Sequence, residues 1–249
     1  ERAEFHDNSC RMRNRDEVRR HLEFFQKILE QQNFSFRPTV FIPPAMKHSF
    51  GQENEGIQKL LREAGIVRVI NCFQKARQLA PPLYPTATWE NGVVILDRGL
   101  PDFSWNSESC SPCFDFNRPF LVLHWTNLLH QNPKHNFDLV DSWIQFIKDG
   151  AHRHGLILSR DTRTCFTQYL YRECSTICHR HNEVYINLSW QRTIPANALN
   201  PEFVVRIKDA SFQDLKLAGA RAASVTMEKD AFLLSLIPED DHIYLTGMA

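Results

Sequence analysis

The chain has 249 residues, enough for one large hydrophobic core or a main core with a smaller satellite. Its 29 basic and 29 acidic residues cancel to a formal net charge of zero. That balance argues against a partner held by bulk electrostatics, so no nucleic acid partner is expected. The longest apolar runs, 120–123 and 231–237, are too short to span a bilayer, so no transmembrane segment is expected, and the charged opening residues offer no signal peptide. Seven cysteines, an odd count, fit neither a dense disulfide framework nor a thiol-free export product, and they leave the compartment open.

Along the chain, Asn14 and Glu17 form a capping-box pair ahead of Val18, Leu22, Phe25, Ile28 and Leu29. That spacing predicts an amphipathic helix with one stripe packed inward. Arg37-Pro38 breaks any helix, and residues 39–42 read as a buried strand stopped by Pro43-Pro44. A second helix is predicted over 53–64, with Gly65 as a left-handed cap, followed by a strand over 66–70. Residues 93–96, ending in Asp97-Arg98, and 120–123, ending in His124, read as two more short apolar strands. Leu139, Trp143, Ile144 and Ile147 mark a helix that Gly155 ends, and 156–158 reads as a last short strand. Such alternation implies parallel strands buried on both faces, with 39–42, 66–70, 93–96 and 120–123 as neighbours. Chemistry in such sheets lies beyond the carboxyl ends of the strands, which directs attention to Pro43-Pro44, Asn71, Asp97-Arg98 and 124–127.

Beyond residue 182 the period changes to two. Val184, Ile186, Leu188 and Trp190 alternate with polar residues, as do Phe203, Val205 and Ile207, and the strand-like pattern continues to about residue 245. The fold class expected is therefore α/β over 1–181 followed by a small antiparallel β module over 182–249. The module either docks on the first part or stands as a sandwich.

Three stretches together resemble polysaccharide deacetylases of the NodB type. The first is Ala3-Glu4-Phe5-His6, then a long helix, then the wall-like 36–45 segment with Phe41-Ile42-Pro43-Pro44-Ala45. The second is the helix-to-strand step 60–66, and the third is Leu121-Val122-Leu123-His124-Trp125. The resemblance covers roughly residues 1–160. It implies an incomplete or distorted (β/α) barrel, a polysaccharide or oligosaccharide partner, and hydrolysis of N-acetyl groups with a divalent metal, zinc or similar. By the resemblance His124 is the general acid and Asp97 and Arg98 are catalytic neighbours. The resemblance also implies that Pro43, Pro44, Trp125 and Asn127 contact substrate and that His6 is a remnant of the metal motif. Such hydrolysis needs a metal-bound water, a base, and an acid to protonate the leaving amine, a task that suits an imidazole. The family's paired aspartates and its His-x-x-x-His motif have no counterpart here. The chain is thus expected to be either the later part of a longer enzyme or a version that does not hold the metal.

Each candidate has a plainer reading. His124 could be a histidine satisfied by a backbone carbonyl, Asp97-Arg98 a surface ion pair, and Pro43-Pro44 a strand stop. His130 and His135 read as solvated loop residues. A non-catalytic glycan-binding or assembly domain on the same scaffold is the alternative from another class. A further alternative is a zinc-stapled interaction module built from Cys110, Cys113, Cys174, Cys178, His179 and His181. Buried structural thiols are the commoner use of such cysteines, and Cys174 and Cys178 are spaced to share a helix face. Neither a glycine-rich phosphate loop nor a Gly-x-Ser-x-Gly elbow is present.

Overall fold

The protein is described by a computed structural model over residues 5–6, 11–12, 14–46, 48–51, 57–100, 102–104, 106–180, 182–195, 197–208, 215–228 and 230–247. Strands β1 (Phe5–His6) and β2 (Arg11–Met12) form a short antiparallel pair. Helix α1 (Arg15–Gln31) starts at the predicted cap, where Asn14 Oδ1 accepts the Glu17 N–H at 2.8 Å. Its inward stripe is only partly used. Val18 is buried and Leu22 packs partly, but Phe24, Phe25 and Ile28 face solvent.

Next come β3 (Val40–Phe41), β4 (Ser49–Phe50), α2 (Ile57–Glu63), β5 (Arg68–Asn71), β6 (Arg77–Gln78), β7 (Ala87–Glu90) and β8 (Val93–Asp97). Gly65 closes α2 at φ +84°, the left-handed conformation its position predicts. The central sheet has the order β3-β5-β8-β7. β3, β5 and β8 are parallel, as their apolar runs imply, with Asn71 opposite Asp97 at the far ends. Both faces of this sheet are covered. Val69, Val93 and Ile95 pack with Leu60 and Leu61 of α2, whereas Ile70, Val94 and Leu96 enter the main core.

Two expected strands are absent, and the sheet is open. Residues 120–123 belong to no sheet. The reason lies in β7, which pairs antiparallel with β8 from Glu90↔Val93 to Ala87↔Leu96 and occupies the edge that a fourth parallel strand would need. Residues 156–158 also form no strand. Leu156 spends its N–H on Ala151 O at 2.8 Å, closing the preceding helix beside Gly155 at φ +63°. No closed barrel exists among the described residues.

Helices α3 (Asn136–Arg153) and α4 (Thr162–Cys174) follow, then β9 (Thr176–Arg180), β10 (Glu183–Asn187), β11 (Phe203–Lys208), β12 (Lys216–Ala218), β13 (Ala220–Met227), β14 (Ala231–Pro238) and β15 (His242–Thr246). They form two antiparallel sheets, β12-β15-β10-β9 and β11-β14-β13. Inward residues of both sheets, Val184, Ile186, Ile243 and Leu245 on one and Phe203, Phe232, Leu234 and Leu236 on the other, share one core with Phe166 and Leu170 of α4. That same core receives Ile70 and Leu96 from the parallel sheet, and Arg68 Nε donates to Ala198 O at 2.8 Å across the junction. Trp190 belongs to a one-turn 3-10 helix, Ser189–Thr193, not to a strand. No helix among the described residues is long and apolar enough to cross a membrane.

Candidate functional site

The carboxyl ends of the parallel strands bring Pro43, Asn71, Asp97 and Arg98 to one edge. Asn71 is fully buried. Its Oδ1 accepts the Cys72 N–H at 2.8 Å, its carbonyl accepts the Arg98 N–H at 2.7 Å, and its Nδ2 has no hydrogen-bond partner among the described residues. Asp97 Oδ1 accepts the Phe73 N–H at 2.9 Å and the Gly99 N–H at 3.0 Å, so this carboxylate ties together the two loops that leave β5 and β8. Gly99 sits at φ +71°, a conformation that favours glycine, with the Arg118 guanidinium 3.2 Å from where a Cβ would be. Arg98 is half-buried, and burial lowers its pKa, opposed by Cys72 and Asp97. Its Nε has no hydrogen-bond partner among the described residues. Pro43 is buried, while Pro44 is exposed and opens a one-turn helix, Pro44–Met46.

His124, Trp125 and Asn127 form a second group, on a one-turn 3-10 helix, Trp125–Leu128, that does not follow a strand end. Asn127 is fully buried and organises the turn. Its Oδ1 accepts the His124 N–H at 2.8 Å, and its Nδ2 donates to Ser104 O at 2.9 Å and Ser107 O at 2.7 Å. It is thus a clamp beneath the surface, not a residue open to a ligand. His124 is exposed, and Trp125 is 82% exposed. Among the described residues neither side chain bonds to Asp97 or Arg98. The link between the two groups is the connection that leaves β8. Arg118 Nη1 holds it at Leu100 O (3.1 Å) and Asp102 (3.2 Å), and Asn127 holds it at Ser104 and Ser107.

The side chain of His6 lies outside the described residues, as does His181. Among the described residues no three His, Cys, Asp or Glu side chains converge to hold a metal ion. No chemical step is assigned to a metal ion. The cysteines are dispersed. Cys110 is buried, Cys113 exposed, Cys174 closes α4 and Cys178 lies on β9, so the last two share no helix face. All six described cysteines are free thiols. His135 Nδ1 contacts Asp138 at 3.1 Å and His130 Nδ1 accepts the Asn132 N–H at 2.9 Å, both at the surface.

Sequence reading passed over the residues that shape the space around these groups. Tyr169 of α4 lies with the Arg172 guanidinium 5.0 Å from its ring centre, and burial raises the phenol pKa. The available signal was the density of aromatic residues at Phe166, Tyr169 and Tyr171. The chain matches no family model, no curated protein and no solved structure.

Proposed function

We propose that this chain is a carbohydrate-active protein that holds an N-acetylated glycan against the turn carrying His124 and Trp125. The scaffold would be of the incomplete, distorted-barrel kind implied by the resemblance to polysaccharide deacetylases. One observation carries the reading: an indole 82% exposed, presented on a turn that the fully buried Asn127 pins through three hydrogen bonds. A large aromatic face presented to water from a turn whose backbone is pinned offers stacking surface, which favours the apolar face of a sugar ring. The zero net charge supports an uncharged partner over nucleic acid. Calorimetric titration with an N-acetylglucosamine oligomer tests this. Trp125→Ala should weaken binding at least about tenfold, a loss of about 1.4 kcal/mol. Unchanged affinity would refute it.

A second reading is hydrolytic removal of the N-acetyl group, with His124 protonating the leaving amine. It is favoured by the delivery of Pro43, Asp97 and Arg98 to the carboxyl edge of β3, β5 and β8, where α/β sheets carry their chemistry. In that case His124→Ala should lower turnover on an N-acetylated oligosaccharide by roughly 10²- to 10⁴-fold. Stability should stay unchanged, because the imidazole is exposed. Full turnover by the variant would remove His124 from the mechanism.

A further inference from the structure

A cleft of about 520 Å³ opens between residues 114–121, the 155–161 connection, one side of α4 from Thr162 to Arg172, and β11. That volume lies in the range of sites that enclose small molecules. Phe116, Pro119 and Phe120 give it ring walls, Leu158 adds aliphatic surface, and Tyr169 lines it beneath Arg172.

The charges around this cleft are settled within the protein. Arg118 pairs with Asp102 and Asp115, Arg172 with Glu173, and Arg206 with Glu228 at 2.7 Å and Asp230 at 3.6 Å. Asp161 caps α4. It accepts the Thr164 N–H at 2.8 Å and the Thr164 hydroxyl at 3.1 Å, and these bonds hold its carboxyl below the usual range. An anionic ligand would therefore have to compete with carboxylates already in place, and a cationic ligand with the arginines. Charge balance matches an uncharged occupant. Ring walls match one with a flat C–H face. The buried Arg206 Nε–H has no acceptor among the described residues, so this lining donor can take a neutral oxygen.

We propose that this cleft is a second sugar subsite, taking an uncharged N-acetylated pyranose. Its wall continues from Leu121 directly to His124, three residues on, which places it next along the chain to the Trp125 turn. The proposal rests on the reading of this protein as a glycan binder, and the two can fail separately.

The test is a ligand-observed NMR titration of the full chain with N-acetylglucosamine. An apolar anion, anilinonaphthalene sulfonate, serves as the competing probe. Leu158 is 54% exposed, so Leu158→Trp fills the cleft mouth without disturbing the core, and Leu158→Glu is the second variant should the first fail to fold. The expected result is that both weaken N-acetylglucosamine binding at least about tenfold, while Met227→Ala, at an exposed position outside the cleft lining, retains it. Loss of affinity in the Leu158 variants with longer oligomers indifferent to Trp125→Ala would keep the cleft and discard the Trp125 surface. Equal binding by wild type and both Leu158 variants overturns the proposal. So does capture of the apolar anion with no sugar bound.

Discussion

Asn127 and Trp125 are two residues apart and should respond to mutation in opposite ways. Truncating Asn127 to alanine removes the acceptor of the His124 N–H and the donors to Ser104 O and Ser107 O, bonds of 2.8, 2.9 and 2.7 Å. At about 1 kcal/mol net for each, Asn127→Ala should cost about 3 kcal/mol. Asn127→Asp keeps the shape and the acceptor but turns a carboxylate oxygen toward two carbonyl oxygens, so at neutral pH it should cost at least as much. A carboxylate buried there would have its pKa raised, so stability is lost as pH rises through that value. The Asn127→Asp defect should therefore ease as the pH falls toward about 4. Trp125→Ala removes a ring that is 82% exposed and should change stability by less than about 0.5 kcal/mol. Urea unfolding at neutral and acid pH measures all three. A loss under about 1 kcal/mol for both Asn127 variants would refute the clamp, and with it the claim that the turn presenting Trp125 is pinned.

Gly150 lies inside α3, where alanine ordinarily gains up to about 1 kcal/mol. Here a Cβ would meet the Phe116 ring at 1.8 Å, so Gly150→Ala should instead destabilise by about 1–3 kcal/mol, read by thermal unfolding. A higher melting temperature would show that the Phe116 packing is wrong. Burial pushes the Cys165 thiol up to about 11, and those of Cys174 and the Tyr171 phenol up to about 12. Their folded values lie above the unfolded ones, so the stability they contribute is complete below about pH 9 and falls as pH rises beyond it. Unfolding free energies at pH 7 and pH 10 check the sign, and timed alkylation should label exposed Cys113 well before Cys165 or Cys174.

The sequence by itself determined whatever depends on neighbours along the chain. The Asn14 cap, the Gly65 stop and most of the period-two tail are local hydrogen-bond and side-chain patterns that appear where their residues place them, although Leu188 and Trp190 fall beyond the end of β10. The three parallel strands β3, β5 and β8 were also legible, because unbroken apolar runs suit strands covered on both faces. Helix α4 was not, since Phe166, Thr167, Tyr169, Leu170 and Tyr171 are buried on several sides and leave no single stripe. Residues 120–123 carry a strand-like run, yet whether an apolar run joins a sheet depends on a free edge, and β7 had taken the edge of β8. The candidate site divides the same way. Residue type drew attention to Trp125 and Asn127 together, but only the tertiary structure decided that one faces water and the other is sealed beneath it. Exposure is set by which distant segments arrive, here Ser104 and Ser107 closing over the Asn127 amide, and no local pattern encodes that arrival.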